Sequence, residues 1–170
     1  MMNSRFKFLG HSVHQMLIVF PLGLLMASVA FDALYYFGGR ERRWAEVAYW
    51  MIAAGLIGAV AAALPGLIDW LAIPAGTRAK RIGLMHGLAN AVGVVGLFGA
   101  SWLLRRSSPT SPSDLALLLS AAGLIVGGVA GWLGGELVDR LGVGVDPGAN
   151  LDAPSSLSGR PASGRPVPHA

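Results

Sequence analysis

Four long apolar runs constrain the fold of this 170-residue chain more than any other feature of its sequence. The runs cover about residues 16–37, 47–73, 82–104 and 115–135. A helix needs about 20 apolar residues to cross a bilayer, and in hydrocarbon its backbone polar groups must be bonded within the segment. We therefore predict an integral membrane protein of the all-α class, with a four-helix up-and-down bundle over residues 1–145.

The composition supports a membrane protein and excludes several other classes. Apolar residues make up 54% of the chain and charged residues 13%, against roughly 25% charged residues in soluble domains. The absence of cysteine excludes a disulfide scaffold, a cysteine-ligated metal and a cysteine nucleophile. The net charge of +4 comes from Lys and Arg residues that lie between the apolar runs, so no nucleic-acid partner is indicated. The sequence contains no hydrolase, phosphate-loop or dinucleotide motif, so it does not indicate an enzyme.

Aromatic side chains and a change in composition mark the ends of the membrane domain. Six aromatic residues lie near the ends of the runs, as expected at a membrane interface: Trp44, Tyr49, Trp50, Trp70, Trp102 and Trp132. Residues 146–170 are rich in Pro, Ser, Gly and Ala, which predicts a disordered tail. Arg5 and Lys7 precede the first run as in a signal peptide, but the run is longer than such a signal, so we expect it to be retained.

The connections between the runs bear on orientation, because four spans put both termini on one side of the membrane. On the side of the termini lie six cations: Arg5, Lys7, Arg78, Lys80, Arg81 and Arg140. On the other side lie five: Arg40, Arg42, Arg43, Arg105 and Arg106. The excess of one favours cytoplasmic termini in a bacterial inner membrane.

Small residues recur at helical spacing in two of the runs. The fourth run carries a Gly at every fourth position: Gly123, Gly127, Gly131 and Gly135. The second run carries Gly58, Ala62 and Gly66 in the same spacing. Lipid does not push helices together, so close approach through small residues stabilises helix pairs. These stripes predict tight helix packing, either within the bundle or between two copies of the chain.

Ionisable residues from all four runs gather at one end of the predicted bundle. The set contains His11, His14, Asp69, His86 and Glu136. Up-and-down topology brings these run ends to the same face of the membrane. Ionisable groups near a bundle end are costly unless they are paired or hydrated, so this set is the candidate functional site.

Several kinds of chemistry fit this set. Histidines from different helices, here His14, His86 and His11, can bind the iron of a b-type haem, which predicts a redox or electron-transfer module. All five side chains are candidates for a divalent metal site, and a His, Asp and Glu relay could carry protons. Alternatively, the residues cap helices, pair with nearby cations and contact headgroups, as in a non-catalytic membrane subunit. Spacing alone leaves these alternatives open.

Asp32 stands apart from this set, because it lies near the opposite face of the membrane. Sixteen residues separate it from Met16, which corresponds to about 24 Å of helix. We expect it to pair with Arg40, Arg42 or Arg43 at that interface.

Five segments together resemble a known family. They are the stretch GHSVHQMLIVFPLG at residues 10–23, Phe31-Asp32, LPGLID at 64–69, HGLAN at 86–90 and GWLGGELV at 131–138. The chain resembles, over about residues 9–146, the uncharacterised bacterial membrane-protein family catalogued as domain of unknown function 2231. The resemblance implies a four-helix inner-membrane protein, and some relatives look fused to Rieske-type or cytochrome domains, which suggests electron transfer.

This sequence departs from the pattern of that family at two places. Ser12 and Gln15 stand where the family often has prolines, and Asp139 and Leu141 stand where it often has Tyr and His. The Leu141 side chain cannot bind a metal or a haem iron, so position 141 contributes no ligand to the predicted site.

Overall fold

The structure is a computed structural model and describes residues 1–164. Residues 165–170, which include His169 and the end of the predicted tail, lie outside the described residues. Between residues 146 and 164 the chain forms successive turns and a short 3₁₀ helix, Ser156–Ser158. The disorder of residues 146–170 stays a prediction.

The first two spans form one helical hairpin. Span 1 consists of α1 (Val13–Leu17) and α2 (Val19–Phe37). α1 ends at Leu17, four residues before Pro21, which has no N–H to bond the carbonyl of Leu17. Span 2 is the single helix α3 (Arg42–Ala72), which continues through Pro65.

The last two spans form a second helical hairpin. Span 3 consists of α4 (Arg78–Leu88), a π-helical segment (Ala89–Val95) and α5 (Gly96–Arg105). Span 4 consists of α6 (Asp114–Gly135) and a π-helical turn (Glu136–Arg140). The Thr77 and Ser113 side chains accept bonds from backbone N–H groups of α4 and α6, and so fix where the two spans begin.

Within residues 1–164, these four spans are long and apolar enough to cross a membrane and pack against each other, which confirms the predicted bundle. Span 1 packs on spans 2 and 4, and span 3 packs on the same two spans. The helices are longer than the apolar runs. Span 2, for example, begins at Arg42 rather than at residue 47, since charged residues can continue a helix into the headgroup layer.

The bundle has a small apolar core and an apolar outer surface. Leu25, Ile52, Val94 and Phe98 form the buried core in the middle of the bundle. Large apolar side chains in the middle of the spans are instead exposed, as at Ile57, where the exposed fraction is 73%. An outer surface of this kind is expected of a protein whose spans face lipid.

The two helical hairpins repeat the same contacts. A Cβ atom added to Gly55 of span 2 would lie 2.7 Å from the side chain of Leu25, and one added to Gly123 of span 4 would lie 2.7 Å from Phe98. The two pairs occupy corresponding positions of the two hairpins. In the second helices Gly123 follows Gly55 by 68 residues, and in the first helices Phe98 follows Leu25 by 73 residues. Each hairpin therefore places a bulky core residue of its first helix against a glycine of its second.

Equivalent residues of the two helical hairpins also meet each other. His14 lies beside His86, and Asp32 is paired with Arg105. Residues that touch their own equivalents lie on a two-fold axis, so the hairpins are related by an approximate two-fold axis along the bundle. We name the two ends of the bundle the histidine end and the arginine end after these pairs.

The π-helical segment Ala89–Val95 keeps both pairs on this axis. His86 follows His14 by 72 residues, whereas Arg105 follows Asp32 by 73, so span 3 has one extra residue between them. A π-helical turn holds more residues than an α-helical turn. The segment lies between His86 and Arg105 and accommodates the extra residue, so that both side chains point toward span 1.

Candidate functional site

The histidine end brings two of the predicted residues together. His14 lies in α1 and His86 in α4, and their ring centres are 6.2 Å apart. The ring planes are nearly perpendicular, at 88°. Both side chains are partly buried.

Each ring is fixed by a backbone carbonyl of its own hairpin. The Nδ1 atom of His14 lies 2.8 Å from the carbonyl oxygen of Ala62, and that of His86 lies 2.9 Å from the carbonyl oxygen of Ala130. A carbonyl oxygen can only accept, so Nδ1 donates its proton in both rings. In the neutral imidazole this leaves a lone pair on Nε2.

Two glycines let the rings lie against the neighbouring helices. A Cβ atom added to Gly66 would lie 2.7 Å from Nδ1 of His14, and one added to Gly134 would lie 3.2 Å from Cε1 of His86. Each glycine follows the bonded carbonyl by four residues, so the two arrangements are again equivalent. Asn90 donates to the carbonyl of His86 at 2.9 Å, and its amide nitrogen lies 3.4 Å from Nε2 of that ring.

The other three predicted residues have different neighbours. His11 is exposed, and its Nδ1 atom lies 3.1 Å from the carbonyl oxygen of Leu9. The carboxylate of Glu136 accepts a bond of 2.6 Å from Arg78. Within residues 1–164, no three His, Asp or Glu side chains lie close enough together to hold a metal ion, so the five residues do not form one centre in this structure.

Asp69 fastens the N-terminal segment to span 2. One oxygen of its buried carboxylate accepts a bond of 2.7 Å from the Ser4 hydroxyl. The other accepts from the backbone N–H of Arg5 at 2.6 Å and of Phe6 at 3.4 Å. The carboxylate thereby satisfies polar groups of a segment that precedes the first helix.

The predicted partner of Asp32 is wrong. The carboxylate binds Arg105 through two bonds of 2.7 Å, with exposed fractions of 5% and 0% for the two side chains. Arg40 binds Asp114 instead, and that hydrogen bond raises the pKa of the exposed Arg40. The correct partner was hidden because Arg105 lies in span 3 and reaches Asp32 only across the axis. The four-residue spacing of Ser101 and Arg105 on one helix face is the sequence signal for such a polar set.

The predicted stripes of small residues fall into internal and outward parts. Gly58 and Gly66 of span 2 face Pro21 and His14 of span 1, and Ala62 is buried between them. In span 4, Gly123 faces Phe98 and Gly127 lies near Val94. Gly131 is exposed, and a Cβ atom there would meet no atom within 4 Å, while one at Gly135 would come no closer than 3.9 Å to Asp139.

Comparison with known proteins identifies the family. The sequence profile of a family described as predicted membrane protein, DUF2231, matches residues 10–147. The chain belongs to this family. The match confirms the resemblance seen in the sequence, and the family description gives a membrane location without an activity. A search of curated proteins and of solved structures found no match.

Proposed function

We propose that this DUF2231 protein is a membrane haem protein, in which His14 and His86 bind the iron of one b-type haem and the chain passes electrons to a redox partner. The observation that carries the proposal is the histidine pair on the two-fold axis, with both Nδ1 atoms bonded to backbone carbonyls. A haem with two histidine ligands supplies one-electron chemistry through its iron.

The separation of the two rings is compatible with one iron held by both. A metal bound to each Nε2 at about 2 Å would hold the ring centres roughly 6 Å apart. The observed separation is 6.2 Å, a distance that two rings in edge-to-face contact also have.

The hydrogen bonds of the rings also suit metal binding. A histidine ligand commonly donates its other ring N–H to a carbonyl or carboxylate, which fixes the tautomer and the orientation of the ring. Both His14 and His86 have such a bond, to Ala62 and Ala130. A carbonyl from the partner helix therefore orients each ring, and the Asn90 amide, which lies 3.4 Å from Nε2 of His86, would have to give up that contact for Nε2 to bind a metal.

The number of ligands favours a cofactor over a bare ion. Protein-bound zinc takes three or four protein ligands. The histidine end offers two close imidazoles, and within the described residues no third His, Asp or Glu completes a metal site with them. A haem would bring nitrogen ligands of its own, and His14 and His86 would supply the ligands required from the protein.

Small residues leave open surface beside the pair. Gly87 and Gly131 directly follow His86 and Ala130, and both are exposed. A Cβ atom added to either glycine would meet no atom within 4 Å. This exposed surface lies next to His86 and to Ala130, whose carbonyl holds the His86 ring in place, so side chains of these two glycine positions would not obstruct a flat ligand there.

An absorption spectrum tests the proposal. Protein expressed with ample haem and purified in detergent is expected to show a Soret band, with a sharp α band after reduction. His14→Ala and His86→Ala should each abolish the Soret band. His11→Ala is the matched control and should leave the spectrum unchanged, since His11 is exposed and apart from the pair.

Two outcomes would overturn the haem assignment. One is the absence of a Soret band after expression with ample haem, and the other is a Soret band that survives both substitutions in the pair. Elemental analysis of the same samples separates the alternatives further. A stoichiometric metal without a Soret band, lost in His14→Ala and His86→Ala, would assign the pair to a metal ion instead.

A non-catalytic subunit is the second candidate, and the outward position of Gly131 favours it. A helix of a partner or of a second copy could approach closely at this exposed glycine. Gly131→Cys should then crosslink in the membrane, whereas Gly123→Cys, which is buried against Phe98, should not. The third alternative, proton transport, has less support, because the apolar core Leu25, Ile52, Val94 and Phe98 lies between the two polar pairs.

We further propose that both termini face the cytoplasm of a bacterial inner membrane. Arg105 is buried inside the bundle with Asp32, so it does not count among the cations that the arginine end exposes. The count is then six cations at the histidine end, where the termini lie, against four at the arginine end: Arg40, Arg42, Arg43 and Arg106. The positive-inside rule favours the histidine end in the cytoplasm.

A further inference from the structure

A short β-hairpin precedes the four spans. Lys7–Phe8 pairs with His11–Ser12 in antiparallel register, and Leu9 and Gly10 form the turn. We call residues 7–12 the N-terminal β-hairpin. Of its six residues, Ser12 is the one that is buried, so the β-hairpin contributes little to the core of the bundle.

The bonds to Asp69 fix the depth of this β-hairpin relative to the spans. Asp69 lies one turn before the end of α3, next to Trp70. The Lys80 ammonium group lies over the ring of Trp70, 4.0 Å from its centre. A tryptophan and a lysine in contact at a span end are typical of the membrane interface. Since Asp69 accepts bonds from Ser4, Arg5 and Phe6, the chain enters the β-hairpin at this interfacial level.

The β-hairpin and Phe6, the residue before it, expose a large apolar surface at that level. The exposed fractions are 48% for Phe6, 59% for Phe8 and 61% for Leu9. This surface continues along the lipid-facing side of span 1, where Met16 and Phe20 are also exposed. An open groove of about 360 Å³ separates the β-hairpin from span 1 and is lined by Phe6, Lys7, Phe8, Val13, Met16 and Leu17.

The side of the β-hairpin opposite Phe8 is held to the rest of the chain. Neighbouring residues in a strand face opposite ways, so Lys7 lies opposite Phe8. Lys7 binds Asp146 and Asn3, and the carbonyl of Leu9 accepts a bond of 3.1 Å from Ser156. One side is therefore held to the chain that follows span 4, and the uncovered side carries Phe8 together with His11, its cross-strand partner.

Leu9, at the turn of the β-hairpin, is a further residue of this uncovered apolar surface. Leu9 has a φ of 49°, a left-handed conformation that favours Gly or Asn and is strained for Leu. Its side chain is 61% exposed, so packing within the protein does not offset the strain. Contact with acyl chains would stabilise a leucine there.

We propose that the N-terminal β-hairpin is an interfacial anchor, whose partner is the acyl layer of the phospholipid bilayer at the histidine end. Phe6, Phe8 and Leu9 insert into this layer, and the groove beside span 1 accepts an acyl chain. Continuity with the lipid-facing surface of span 1 identifies lipid as the occupant. The anchor acts independently of any cofactor at the histidine pair.

Spin labelling tests the proposal directly, because the chain has no natural cysteine. Phe8→Cys and Phe6→Cys are each labelled with a nitroxide in vesicles of phosphatidylethanolamine and phosphatidylglycerol. Val129→Cys, in the middle of span 4, gives the lipid-exposed reference, and Leu151→Cys, in the segment after span 4, gives the water-exposed reference. Collision with oxygen reports acyl surroundings, and collision with a water-soluble nickel chelate reports water.

We expect labels at positions 6 and 8 to collide with the nickel chelate several-fold less often than the label at position 151. Their ratio of oxygen to nickel collisions should be closer to the ratio measured at position 129 than to the ratio measured at position 151. Nickel accessibility equal to that of position 151 at both sites would place the β-hairpin in water and overturn the proposal. Both native side chains are about half exposed, so cysteine should be tolerated, and the two sites report independently.

Discussion

Asp32 of span 1 and Arg105 of span 3 form an ion pair with two hydrogen bonds inside the bundle, at equivalent positions of the two helical hairpins. The guanidinium group also donates to the hydroxyls of Ser101 at 3.2 Å and Ser120 at 3.0 Å. Spans 1, 3 and 4 thereby share one polar network. Each charge is compensated almost wholly by the other, because neither side chain reaches solvent.

Removing one partner of this pair should destabilise the bundle. Arg105→Ala would leave the Asp32 carboxylate buried without its counter-ion, which costs about 3–5 kcal/mol in buried pairs. Thermal unfolding in detergent, followed by tryptophan fluorescence, would measure the loss. Asp114→Ala, which breaks the exposed pair with Arg40 at the same end, is the control and should change the midpoint little.

Exchanging the two charges tests whether the axis relates their positions. The double variant Asp32→Arg with Arg105→Asp should be more stable than either single variant, since the new charges again face each other. Recovery should be partial, because Arg105 has Ser120 as a neighbour whereas Ile52 occupies the equivalent position near residue 32. A double variant as unstable as the two single losses combined would contradict this relationship.

Two glycines of the helix surfaces should respond differently to alanine. Gly66→Ala would place a Cβ atom 2.7 Å from the fixed His14 ring and should cost about 1–3 kcal/mol, as overpacking does. Gly131→Ala meets no atom and should be neutral or stabilise by up to about 1 kcal/mol through helix propensity. Unfolding midpoints of the two variants give the comparison, and equal midpoints would show that the ring is not held against span 2.

Asp69→Ala should loosen the N-terminal segment around Ser4, Arg5 and Phe6 while the bundle stays folded and Met2 and Lys7 keep their bonds to the chain after span 4. The substitution removes the acceptor for Ser4 and for the backbone N–H groups of Arg5 and Phe6. Hydrogen exchange at these two amides should accelerate strongly, with little change in the middle of span 2. Asp139→Ala, at an exposed carboxylate near the end of span 4, is the matched control. Unchanged protection of Arg5 in Asp69→Ala would mean that other contacts hold the segment.

The orientation can be measured with single cysteines. Ser107→Cys lies in the connection at the arginine end, and Leu151→Cys lies in the segment after span 4; both positions are exposed. In intact spheroplasts, a membrane-impermeant maleimide should label position 107 and reach position 151 only after lysis. The reverse pattern would put the termini outside and contradict the charge count.

The membrane architecture could be predicted from the sequence because it depends on local composition. Four apolar runs are sufficient to give four spans, and the spans of the structure contain the predicted runs almost completely. The extra residue in span 3 could not be predicted from local composition. It shows only when His86 and Arg105 are compared with His14 and Asp32, and a π-helical segment leaves no signal in hydropathy.

The candidate site could be predicted only in part. Topology placed His14 and His86 at one end, and the structure brings them to 6.2 Å. Topology could not show that Asp69 turns to the N-terminal segment or that Glu136 turns to Arg78, because those contacts depend on the connections outside the spans. Nor could it show that Asp32 bonds across the bundle, since the connection after span 1 offers Arg40, Arg42 and Arg43 much closer along the chain.

The approximate two-fold axis constrains the two helical hairpins differently at its two pairs. Hairpins of identical sequence would place the same residue on both sides of the axis, so a histidine would face a histidine. A carboxylate would then face a carboxylate, and the two would repel each other in the interior. The opposite charges at Asp32 and Arg105 therefore need two hairpins of different sequence, which one chain of four spans provides and a symmetric dimer of one hairpin does not.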